Sequence, residues 1–229
     1  MEKIIENALE FAKEYFQNFC CGHDFEHVKR VLNNAQLILR EEQFDVEIDA
    51  VAVMLAAILH DVDDTKLVKS KDNKAMTNTL AFLKKQNLSA ERIKKITEII
   101  STVGMSEYLN NNRPVSVEAK IVFDADKLEQ TGAIAIARSF AYGSVHGRKI
   151  FESEHFPDDY FDGKYPDGYA SSVNYIIEVL LKVKSILHTN TAIKIAEKRH
   201  KFMVDFLNEF FEEEGNKEWK DYFFSKTRY

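Results

Sequence analysis

Residues 50–61 read Ala50-Val51-Ala52-Val53-Met54-Leu55-Ala56-Ala57-Ile58-Leu59-His60-Asp61. Ten consecutive apolar residues have no polar side to turn toward water. A helix apolar all round belongs in the middle of a bundle, and the run is too short to span a bilayer. Asp45 or Asp49 can open this helix. The pair His60-Asp61 closes it, and a charged carboxylate at that point is expensive to bury unless it is paired or holds a metal.

Working outward, helical periodicity dominates. Ile4, Ile5, Ala8, Phe11, Ala12 and Phe16 mark a first helix, and Asp24 can cap a second with Val28, Val31, Leu32, Ala35 and Ile38 inward. Further helices are expected over 71–86, 89–103, 116–140, 169–187 and 190–214. With 3 prolines, 8 glycines and little strand-like alternation, the expected fold class is all-α, a single-domain helical bundle over 1–229 with a C-terminal helical extension from about 190. One segment differs. Residues 142–168, YGSVHGRKIFESEHFPDDYFDGKYPDG, combine Gly, Pro, aromatics and charges, as a functional loop or a meandering connection would.

Composition narrows the partners. The chain has 229 residues, 45% of them hydrophobic, enough for one sizeable core. The formal charge is −6, without the basic stripe of a duplex nucleic-acid binder. A small phosphorylated substrate needs only a few local cations. Cys20 and Cys21 are adjacent and the only cysteines. Neighbours rarely bond to each other, so both are expected as thiols, in a cytoplasmic protein. The amphipathic, glutamate-bearing start lacks the form of a signal peptide, and no membrane partner is expected.

Three short stretches carry chemistry. His60-Asp61 is one. His27 shares a helix face with Val31, Ala35 and Ile38 and points inward, where it is either a core histidine with its own partner or a ligand. In Asp124-Ala125-Asp126, Asp126 lies one turn beyond Val122 and faces inward, while Asp124 lies about 200° away; both could equally be cap or turn aspartates. Together, two imidazoles and two carboxylates on three apolar helices suit Mn²⁺, Fe²⁺, Co²⁺ or Mg²⁺ better than a closed zinc site.

The order His…His-Asp…Asp on helices resembles the HD-domain phosphohydrolase superfamily. The flanks GHDFEHVKRV, AAILHDVDDTK and DADKLEQTGAIAIARSFAYG, with the later AEKRHKFMVDFLNEF, are similar to its YpgQ/YedJ-like bacterial subgroup over nearly the whole chain. The resemblance implies an all-α HD-type bundle, one divalent metal ion (Mn²⁺, Mg²⁺, Co²⁺, Ni²⁺ or Fe²⁺) on His27, His60, Asp61 and Asp126, and hydrolysis of phosphate esters or anhydrides, with a nucleotide as substrate. Many relatives have Gly where this chain has Asp63, an extra acid that could alter pocket charge. No His falls between His60 and Asp126, which favours a single ion.

A divalent ion activates water near neutral pH. Asp64, one turn past His60-Asp61, is expected to position or deprotonate it, and Lys66 to bind substrate phosphate. His23, Arg30, Lys127, Arg138 and Arg148 are further candidates for substrate binding, the plainer reading of each being a solvated surface group. Tyr142, Phe151, Phe156, Tyr160, Phe161 and Tyr165 could stack on a base or anchor the irregular segment. His188 and His200 read as structural. The alternative function is a non-catalytic nucleotide sensor or interaction module of the same fold. The aromatic C-terminal tail could pack within the chain or form a homodimer.

Overall fold

The computed structural model describes residues 2–19, 24–64, 76–154, 156 and 171–226. Among them the fold is all-α. The described residues contain no strand, only an isolated bridge between Lys149 and Ser171. The helices are α1 (Glu2–Tyr15), α2 (Phe25–Glu41), α3 (Ala50–Leu59), α4 (Thr77–Lys84), α5 (Ala90–Ile100), α6 (Met105–Leu109), α7 (Val117–Lys127), α8 (Gly132–Val145), α9 (Ser172–Glu178), α10 (Asn190–Glu213) and α11 (Lys217–Lys226). Two compact units emerge, one of Met1–Glu129 with Leu187–Ile193, the other of Gln130–Ile186 with Lys194–Tyr229.

In the first unit the apolar helix α3 is central. It packs against α1, α2, α5 and α7, and Val53, Leu55, Ile58 and Leu59 are fully buried. Each such side chain contributes about 1.5–3 kcal/mol of transfer free energy. Short polar side chains start α3 and the helices around it. Asp24 Oδ1 accepts from His27 N at 2.9 Å, Asp49 Oδ1 from Ala52 N at 3.1 Å, Ser89 Oγ from Arg92 N at 3.2 Å and Ser116 Oγ from Ala119 N at 3.1 Å. Each satisfies a first-turn N–H that has no partner within its own helix. Asn34 of α2 donates to the Ala125 carbonyl at 3.0 Å and ties α2 to α7.

Asp124 is wholly buried. It accepts from His188 N, Thr189 N and Thr189 Oγ1 at 3.0, 2.6 and 2.8 Å, with His188 Nδ1 at 3.1 Å. Glu42 accepts from Asn190 Nδ2 at 3.0 Å and Thr191 N at 2.8 Å. Two carboxylates therefore hold the positive end of α10.

The expected single helix over 116–140 is interrupted. A 3-10 turn, Leu128–Gln130, ends α7, and Gly132 restarts the chain as α8 with φ +80°. The expected helix over 169–187 is likewise α9 followed by a 3-10 stretch, Leu180–Ile186. In the second unit the C-terminal tail forms α11 and packs within the chain. Trp219 is 1% exposed, donates Nε1 to Ser153 O at 2.8 Å, and meets the rings of Phe151 and Phe156 at 5.0 and 4.9 Å. Phe151 and Phe156 thus anchor the start of the irregular segment. Tyr160, Phe161 and Tyr165 lie outside the described residues.

Candidate metal centre

All four expected ligands come from the first unit. His27 sits in the first turn of α2, buried to 2% exposure because the face it shares with Val31 and Ala35 points at the core. His60 follows the last residue of α3 and keeps helical backbone (φ −58°, ψ −34°). The chain then turns, with Val62 N donating to Leu59 O and Asp64 N to Asp61 O, both at 3.1 Å. This turn lets two adjacent side chains, His60 and Asp61, reach one point. Asp126 occupies the last turn of α7.

The four side chains converge. His27 Nε2 lies 3.3 Å from His60 Nε2, 3.5 Å from Asp61 Oδ2 and 3.6 Å from Asp126 Oδ1. His60 Nε2 lies 3.3 Å from Asp61 Oδ1 and 3.7 Å from Asp126 Oδ1. Donor atoms bonded to one cation at about 2.0–2.2 Å are about 2.8–3.6 Å apart, so the spacing lies close to the wide end of what a shared ion requires. His60 Nδ1 is 3.0 Å from Ala57 O. A carbonyl only accepts, so Nδ1 carries the proton and Nε2 keeps the lone pair a metal requires.

The charges are coupled. Burial lowers the affinity of His27 for a proton, but Asp61, Glu129 and Asp126 outweigh it and raise its pKa to about 9. Burial pushes Asp126 up, and Lys127, His60 and His27 more than reverse this, bringing it down to about 2. Two imidazole side chains and two carboxyl side chains are the donor set of an N,O-ligated divalent ion, and their proximity matches that role.

The other expected site residues are placed less uniformly. Asp64 is half-buried just past the His-Asp pair. Lys66 and His23 lie outside the described residues. Lys127, expected at the substrate, is instead 1% exposed; its ammonium is 2.6 Å from Asp126 Oδ2 and 5.2 Å from the centre of the Phe123 ring. Arg30 directs Nε to Glu129 Oε2 at 2.5 Å. Arg138 and Arg148 belong to the second unit, where Arg148 lies over the rings of Tyr142 and Tyr175 at 5.8 and 5.2 Å. Asp63, the extra acid of the His-Asp stretch, is engaged at the start of α4. Oδ1 accepts from Asn78 N at 3.0 Å and Oδ2 from Thr79 N at 2.9 Å, so it serves the first turn of α4.

One acid escaped the sequence reading. Glu129, 2% exposed, places Oε2 3.5 Å from His27 Nδ1. Its only sequence signal is its place three residues after Asp126, at the end of a largely apolar helix.

The chain is similar to known proteins in both sequence and fold. The HD domain family model matches residues 24–131. The uncharacterized protein YpgQ of Bacillus subtilis is 30% identical over 211 residues, which cover 90% of this chain and 92% of YpgQ. Among solved structures, a Lactobacillus plantarum protein superposes with TM-score 0.77 at 26% identity, over 93% of this chain and 97% of its own. An HD-superfamily hydrolase from Bacillus thuringiensis gives 0.71 at 30% identity, over 94% and 99%. YpgQ, solved in complex with ADP, shares the fold with TM-score 0.66 at 24% identity, over 92% and 95%. The matched domain spans all four converging side chains, the likeness runs along nearly the full length of both sequences, and the chain belongs to the HD-domain family.

Proposed function

We propose that the protein is a metal-dependent phosphohydrolase acting on a nucleotide, with one divalent cation held by His27, His60, Asp61 and Asp126. The approach of His27 and His60 to each other and of both carboxylates to them, each within 3.3–3.7 Å of a histidine Nε2, carries this reading. Mn²⁺, Mg²⁺, Co²⁺, Ni²⁺ and Fe²⁺ all suit mixed nitrogen and carboxylate ligation. Such an ion, when bound, supplies a water of lowered pKa and neutralises charge on a phosphoryl oxygen.

The residues divide the remaining work. Ala57 keeps the His60 proton on Nδ1. Lys127 holds the outer oxygen of Asp126 and leaves Oδ1 toward the histidines. Asp64 is assigned to orient or deprotonate the attacking water. Lys66 is assigned to substrate phosphate, with His23 as a further candidate. Hydrolysis is supported by the similarity to an HD-superfamily hydrolase, and the nucleotide by the ADP found with YpgQ. Among the described residues no helix is long and apolar enough to cross a membrane, and the adjacent thiols Cys20 and Cys21 suit the cytosol.

The test is a panel of nucleoside mono-, di- and triphosphates with each metal added in turn and products identified by mass. Release of phosphate or pyrophosphate that stops on chelation is the expected result. Nucleotide binding without turnover under any metal would favour the sensor reading and overturn this one.

A further inference from the structure

Glu129 has no part in the mechanism above, yet it is nearly fully buried in the 3-10 turn that ends α7. A carboxylate in that position is costly unless charged or hydrogen-bonding groups meet it. Two do, on the same oxygen. Glu129 Oε2 is 2.5 Å from Arg30 Nε and 3.5 Å from His27 Nδ1. Arg30 is three residues beyond His27, so both project from one face of α2, and the end of α7 closes over the pair.

A histidine that gives one ring nitrogen to a metal must direct the proton of the other to an acceptor. His60 uses a neutral carbonyl of its own helix, Ala57 O. His27 faces a carboxylate from a different element, which defines the ring's rotation as well as its tautomer. A charged acceptor also strengthens the opposite nitrogen as a donor.

We propose that Glu129, anchored by Arg30, is a positioning residue that holds the Nδ1 proton of His27 and turns Nε2 toward the cation. The inference rests on the metal-centre reading above. It assigns Arg30 to the support of the site, where sequence alone placed it at the substrate.

The test compares wild type with Glu129→Gln, Glu129→Met and Arg30→Met. Mn²⁺ affinity is measured by titration calorimetry of metal-free protein, and the His27 Nδ1–H signal by ¹H–¹⁵N spectroscopy of the Zn²⁺-loaded form. Glutamine keeps an acceptor, whereas methionine keeps volume without one. Glu129→Met is expected to lose about 10–100-fold in affinity, together with the slowly exchanging Nδ1–H signal. Glu129→Gln should retain the signal and most of the affinity. Arg30→Met, altered at a partly exposed position, should weaken binding in the same direction, and it carries the test if Glu129→Met does not fold. Unchanged Mn²⁺ affinity and an intact signal in both methionine variants overturn the proposal, as does lower stability without any loss of affinity. Wild type that folds but binds neither Mn²⁺ nor Zn²⁺ brings down the metal-centre reading itself, and this inference with it.

Discussion

Lys127 Nζ lies 2.6 Å from Asp126 Oδ2, while Oδ1 of the same carboxylate faces His27 and His60 at 3.6 and 3.7 Å. One oxygen is neutralised by the protein and the other is directed at the candidate ion. Lys127→Met removes the ammonium and leaves a buried charge behind. Breaking such a pair costs about 3–5 kcal/mol, so metal-free Lys127→Met should unfold in urea with a loss of that size. Saturating Mn²⁺ should recover more stability in the variant than it adds to wild type, because the ion replaces the missing charge. Equal metal-free stability of the two proteins would contradict the assignment.

Metal itself should stabilise the fold. A ligand at a hundred times its Kd, bound only by the native state, adds about 2.7 kcal/mol. Wild type should therefore melt higher with Mn²⁺ and return to its metal-free Tm on chelation. His60→Ala removes one of the converging Nε2 atoms and should show no such shift. A variant that still responds fully would remove His60 from the ligand set.

Asp64 can be separated from the ligands by kinetics. Loss of a positioned acid or base lowers turnover by about 10²–10⁴-fold. Asp64→Asn should fall by that much on the substrate found in the panel while its metal content, measured by elemental analysis, stays at the wild-type level. Full turnover would end the assignment.

Acid should loosen the start of α10. Burial acts to raise the pKa of Glu42, but hydrogen bonds from Thr191 and Asn190 hold it below the usual carboxylate value. A carboxyl whose folded pKa is depressed contributes stability above its unfolded pKa and loses it as pH falls through the folded one. Glu42→Gln should cost about 0.5–2 kcal/mol at pH 7, the range for losing a cap. The gap between wild type and variant should close progressively below the normal pKa of glutamate. A gap independent of pH would mean that the charge is not involved.

Gly132 should resist substitution. Its φ is +80°, and an added Cβ would come within 3.1 Å of Arg199 Cβ and Cγ. Left-handed backbone costs a residue with a side chain about 1–2 kcal/mol. Gly132→Ala should lower the urea midpoint by at least that equivalent, and an unchanged midpoint would show that the chain relaxes around it.

This glycine also marks where sequence reading stopped. The apolar pattern of 116–140 continues through Leu128 and into Ala133, so periodicity alone reads one helix. The 3-10 turn Leu128–Gln130 and the left-handed φ of Gly132 break it, and hydrophobicity encodes neither. Glu129 was missed for a related reason. A lone acid after an apolar helix looks like an exposed end until Arg30 and His27, about a hundred residues earlier, are brought against it. Lys127 reads from sequence as a cation for phosphate because it stands beside a ligand, and its burial against Asp126 depends on how α7 packs.

Local order was written in the chain. The all-apolar run at 50–59, the Asp24 cap and the inward faces of His27 and Asp126 follow from side-chain chemistry and a period of 3.6 residues, because these act within a few turns of one helix. Periodicity reports only which side of its own axis a residue occupies. The meeting of His27, His60, Asp61 and Asp126, and the commitment of Lys127 and Glu129 to them, required the packing of α2, α3 and α7. Distances between separate helices depend on how their side chains interlock, and no single stretch of sequence contains that information.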